Sequence, residues 1–89
     1  MNRGIRTDSE GNIYVGKHLK NFRKLINITQ IKMSMDLGVS QKQISFWENE
    51  EQPMPRYYMK QLIKIYGSKS INLVSDYQSA EIKYYNLVL

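Results

Sequence analysis

The sequence has no cysteine, two prolines, a single histidine and five scattered glycines. Without cysteine there is no disulfide staple, thiolate zinc ligand or thiol nucleophile, and the chain is expected to work in a reducing compartment. His18 has no cysteine or carboxylate beside it at helical spacing, so no metal site and no cofactor is expected. The dispersed glycines form no phosphate-cradling loop. Asp76 and Glu81 have no evident acid–base partner, and no residue is assigned a catalytic role. No apolar run approaches the roughly 18–20 residues that cross a bilayer. Residues 1–8 lack the apolar segment of a signal peptide. The expectation is therefore a cytoplasmic protein that is not an enzyme and has no membrane partner.

Eighty-nine residues allow one domain with one compact core. At 42% hydrophobic and 24% charged, the composition is that of a globular chain rather than a disordered one. The net charge is +5, and most of the excess sits in residues 16–49, where six basic residues face only Asp36 and Glu48. Such a stretch suits a polyanionic partner, or equally a solvated helical face.

Residues 16–67 read as four short helices. Val15, Leu19, Phe22 and Ile26 recur at helical period, and Asn27 suits the left-handed residue that closes a helix. Thr29 is placed to cap a second helix over 30–37, with Met33 and Leu37 inward. Gly38 ends it and Val39 points back to the core. Ser40 followed by Gln43 forms a capping box for a third helix that runs through Ile44 and Trp47 to about Asn49. Pro53 and Pro55 make 50–55 a loop. A fourth helix carries Met59, Leu62, Ile63 and Tyr66 inward and stops at Gly67. Ser70 is a candidate cap for a fifth helix over 71–77. Residues 1–14 read as an arm or a small hairpin around the turn formers of 8–12. Residues 78–89 are rich in β-formers and are compatible with a strand or a helix extension.

Two helices joined by a short glycine-containing turn, with Ser34 small at the crossing and apolar residues at 33, 37, 39, 44 and 47, make a helix-turn-helix. If Ile44 and Trp47 face inward, then Ser40, Gln41, Lys42, Ser45, Phe46 and Asn49 form the outer side of the third helix. On that side glutamine can bond adenine, lysine can reach guanine, and Phe46 suits a thymine methyl; the alternative for Phe46 is packing against the chain ends.

Residues 15–67 resemble the Cro/phage-repressor (XRE-type) helix-turn-helix family. The likeness rests on Val15-Gly16-Lys17-His18-Leu19-Lys20-Asn21-Phe22-Arg23, on Thr29-Gln30, on Leu37-Gly38-Val39-Ser40 and on Ile44-Ser45-Phe46-Trp47-Glu48-Asn49. The resemblance implies an all-α, five-helix, lambda-repressor-like domain over 15–77 that binds operator DNA as a symmetric dimer, with short terminal β-strands as an addition. It places base reading at Gln41, Lys42 and Phe46, with Ser45 on the same side. It places phosphate contacts at Gln30, Asn49 and Arg56, with Ser40 beside them, and a structural ion pair between Arg23 and Glu48.

Three residues or pairs depart from the family pattern. Glu50 and Glu51 stand where many relatives have glycine and basic residues, which is expected to weaken DNA binding or to move the loop off the backbone. Ile31 and Met35 form an unusual apolar strip on the second helix, expected to lie under a terminal segment or a partner. Ser34 replaces the commoner alanine. Tyr84, Tyr85, Leu87, Val88 and Leu89 make 78–89, with 3–15 as a candidate addition, the expected dimer contact, paired strands being one form it can take; the alternative is a tail folded over the second helix. The acidic loop and apolar tail also suit a second function on this fold: an antitoxin or protein-interaction module whose partner is a toxin or another regulator.

Overall fold

The computed structural model describes residues 4–88, with side chains described through Leu87. Two short strands, β1 (Arg6–Thr7) and β2 (Ile13–Tyr14), pair antiparallel with Arg6 opposite Tyr14 and Thr7 opposite Ile13. Asp8 builds their turn: its carboxylate accepts from the backbone N–H groups of Glu10 and Asn12 and from the Asn12 side chain. These bonds, the Asn12 side chain first, hold the Asp8 carboxyl below its ordinary pKa.

Helices α1 (Gly16–Leu25), α2 (Gln30–Leu37), α3 (Gln41–Glu48) and α4 (Arg56–Tyr66) follow, then a 3-10 turn (Gly67–Ser70) and α5 (Ile71–Val88). Local chemistry sets the boundaries. Asn27 closes α1 at φ 61°, with the Ile28 N–H reaching back to the Arg23 carbonyl at 3.1 Å. Thr29 Oγ1 accepts from the Lys32 N–H at 3.0 Å. Gly38 takes φ 72° so that the Val39 N–H can return to the Ser34 carbonyl. Ser40 Oγ accepts from the Gln43 N–H at 3.0 Å. The capping box is only half made, because the Gln43 side chain donates to Gln52 Oε1 instead.

One core joins these elements. Leu19 and Phe22 of α1, Met33 and Leu37 of α2, and Ile44 and Trp47 of α3 meet Met59 and Leu62 of α4. Leu73, Val74, Tyr77 and Ala80 of α5 extend it, as do Ile5, Ile13 and Val15 on the hairpin side. Burying apolar side chains of this size contributes roughly 1.5–3 kcal/mol each, offset by chain entropy. A polar triad closes one side: Lys32 and Tyr66 both donate to the Asp36 carboxylate at 2.8 Å. The Asp36 carboxyl is held low by Lys32 first, while burial, reinforced by Asp36, pushes the Tyr66 hydroxyl up.

Four expectations are corrected. The fifth helix does not stop at Tyr77; of the two readings open for the tail, the helix extension is the one found, unbroken to Val88, because no glycine or proline interrupts 71–88 and the hairpin gives its last turns a surface. Tyr84 packs against Gly11 and donates to the Ser9 carbonyl at 3.4 Å. Residues 78–88 are thus neither paired strands nor a cover for α2, and Ile31 and Met35 stay 55% and 74% exposed. Ser70 does not cap α5, since its hydroxyl donates to the Gly67 carbonyl inside the 3-10 turn. Ile63, expected inside, is exposed, because Leu62 and Met59 already fill the inner side of α4. The side chain of Val88 and the whole of Leu89 lie outside the described residues.

Candidate nucleic-acid interface

The outer side of α3 is set by what its inner side buries. Ile44 and Trp47 are buried, so Gln41 and Lys42 stand exposed at the first turn, and Ser45 and Phe46 lie half-buried one turn on. The Trp47 ring lies 5.1 Å from that of Tyr58. Its Nε1 has no hydrogen-bond acceptor among the described residues, so it acts here as apolar filling. The Lys42 ammonium sits 5.6 Å from the Phe46 ring centroid, a cation–π distance that gathers the two side chains into one unit. Asn49 caps the far end of α3 and donates to Ser45 Oγ at 3.2 Å. The hairpin and the end of α5 pack against each other and against α1, leaving Gln41, Lys42 and Asn49 in solvent.

Behind this side a hydrogen-bonded chain fixes the pose of α3. Arg23 of α1 donates to the Glu48 carboxylate from Nε at 2.7 Å and Nη2 at 3.1 Å, and from Nη1 to the Ile28 carbonyl. The Glu48 side chain is 2% exposed, so this is a buried, forked ion pair. The bonds to Glu48 raise the Arg23 pKa further above its ordinary value. Gln30, first residue of α2, donates to the same carboxylate at 3.0 Å. Gln41 in turn donates to Gln30 Oε1 at 3.3 Å. Gln30 therefore links the ion pair to the first exposed residue of α3, and it does so at a helix N-terminus, where free N–H groups favour an anion.

The remaining sites are disposed differently. The Ser40 hydroxyl is occupied by its capping bond but lies exposed at the start of α3. Arg56 begins α4, with Nε 3.6 Å from Glu81 of α5; the arginine is exposed and the carboxylate half-buried, and at this separation the pair contributes little. Glu50 occupies a left-handed position, φ 59°, where the Glu51 N–H returns to the Phe46 carbonyl. That conformation costs a non-glycine residue roughly 1 kcal/mol or more. Its carboxylate turns away from α3: Arg6 Nε donates to it at 2.8 Å, while the Arg6 guanidinium stacks on Tyr14 at 4.2 Å. Room for Glu50 comes from Gly16, where an added Cβ would lie 2.7 Å from Glu50 Cγ. The loop is tied twice more, by the Met54 N–H to the Ile13 carbonyl and by the Tyr77 hydroxyl to the Met54 carbonyl. Sequence reading missed Arg6–Glu50 and Gln43–Gln52, and no local pattern announces either.

The site is thus an exposed polar outer side on the second helix of a helix-turn-helix, braced by a buried ion pair to α1. A family model described as helix-turn-helix matches residues 19–72, more than half of the chain. The chain belongs to this helix-turn-helix family, of the Cro/C1-like XRE type. Membership marks it as a DNA-binding transcription regulator of a family that is not typically enzymatic. Comparison with curated proteins and with solved structures gives no match. No described helix is long and apolar enough to cross a membrane, and no group of three or more metal-ligating side chains lies among the described residues.

Proposed function

We propose that the protein binds a pseudo-palindromic duplex as a homodimer, with α3 of each copy in the major groove, and so represses or otherwise regulates transcription. Gln41 bonds an adenine edge, the Lys42–Phe46 unit reads guanine and a neighbouring thymine methyl, and Ser45 flanks them. Gln30, Ser40, Asn49 and Arg56 hold phosphates. The observation that carries this reading is the Arg23–Glu48–Gln30–Gln41 chain, which joins the buried brace of the motif to an exposed side chain at the start of α3. Dimerisation is supported by the end of α5, where Tyr85 and Leu87 are 56% and 78% exposed; Tyr84 is instead engaged by its own hairpin. Footprinting on the DNA upstream of its own gene tests the reading. Protection of two half-sites about one helical turn apart supports it, and uniform or absent protection contradicts it.

A second reading, a protein partner such as a toxin or another regulator, draws on Ile31 and Met35, an exposed apolar pair one turn apart on α2. Co-purification of a second chain that is lost in Met35→Ser favours it.

A further inference from the structure

We propose that the cleft between the hairpin, α1 and the last turns of α5 binds a small amphipathic anion: an aromatic or alkyl carboxylate or sulfonate, free in solution. The cleft has a volume of about 1050 Å³, just above the ~300–1,000 Å³ typical of small-molecule sites. Its apolar lining comes from Ile5, Ala80, Tyr84 and Leu87. The residues that build it lie mostly outside the 19–72 family match, so the cleft is an addition to the helix-turn-helix rather than part of it.

Charge selects the sign of the ligand. Two carboxylates border the cleft and both are engaged: Asp8 accepts from Asn12 and from the Tyr14 hydroxyl, and Glu50 accepts from Arg6. His18 Nδ1 lies 3.7 Å from Asp76. Lys17 at the start of α1 and Lys83 on α5 also border the cleft, and neither has a hydrogen-bond or ion-pair partner among the described residues. Two uncommitted ammonium groups beside an apolar lining match one anionic head on one apolar body, and Asn21 adds an amide that can donate to the head. A neutral ligand would leave both cations unanswered, and a cation would meet them as like charges.

The probe is 8-anilinonaphthalene-1-sulfonate, added to the intact chain and followed by fluorescence and by backbone amide shifts. One molecule should bind per chain, moving the amides of Lys17, Asn21 and Tyr84. The double variant Lys17→Gln/Lys83→Gln should weaken binding at least tenfold; both residues are exposed, so the fold is retained. Met35→Ser should leave binding unchanged. N-phenyl-1-naphthylamine, with similar rings and no charge, should bind at least tenfold more weakly than the sulfonate. Decanoate below its micellar concentration should shift the same amides, and phosphatidylglycerol vesicles should not. Failure of the sulfonate to bind, binding that survives the double variant, shifts confined to α2, or a response to vesicles alone would each overturn the proposal. None of these outcomes depends on DNA, so failure here is distinguishable from failure of the regulator reading, with whose dimer contact the cleft shares Leu87.

Discussion

Glu48 is the residue on which the interface turns. Its buried carboxylate accepts from two nitrogens of Arg23 and from Gln30, and breaking a buried pair leaves a charge with no compensation. Arg23→Met is therefore predicted to lower stability by about 3–5 kcal/mol in urea unfolding; a loss under about 1 kcal/mol would mean the carboxylate finds water or another partner. Tyr77 gives a pH test. Burial pushes its hydroxyl up to about 12, above its value of about 10 in an unfolded chain. A raised pKa means its contribution is complete below about pH 10 and drains away as pH rises toward 12. Wild type should lose about 1–1.5 kcal/mol more than Tyr77→Phe between pH 9 and pH 11. Equal losses would show that the hydroxyl is already ionised or already in water. At neutral pH the same variant should cost about 1 kcal/mol, for the lost bond to the Met54 carbonyl.

At the scale of elements, the ends of α1, α2 and α3 were legible because caps are local. Asn27, Thr29, Gly38 and Ser40 each act on groups within five residues of themselves. The length of α5 was not legible. Residues 82–88 carry strand-forming side chains, and only the hairpin under Tyr84 decides for helix. Glu50 is the harder case. Its sequence position reads as an intrusion of negative charge near DNA, yet Arg6, 44 residues away, neutralises it, and that distance in sequence leaves no signal. Glu50→Gly removes the left-handed penalty and the Arg6 bond together, so stability should stay within about 1 kcal/mol of wild type. Duplex affinity should rise modestly, by about 0.5 kcal/mol, alike on operator and random DNA, as one carboxylate leaves the loop. A change confined to the operator would mean that Glu50 influences base reading.

The molecule as a whole is a family domain enlarged at both ends. The helix-turn-helix and its outer side could be read from spacing and resemblance, whereas the hydrogen-bonded route from Glu48 through Gln30 to Gln41 required side-chain placement. The additions meet each other where Tyr84 reaches the hairpin, and they leave Tyr85 and Leu87 uncovered. Leu87→Ser with Tyr85→Ser is predicted to shift sedimentation equilibrium from dimer to monomer with little change in unfolding; an unchanged dimer would move the interface elsewhere. The central claim is that the outer side of α3 lies on base edges, and the most direct measurement is the affinity of Gln41→Ala for its operator and for random duplex at one salt concentration. The predicted result is a loss of roughly 1–3 kcal/mol on the operator and almost none on random DNA, with Arg56→Ala weakening both alike. Equal losses on both duplexes for Gln41→Ala would contradict the account.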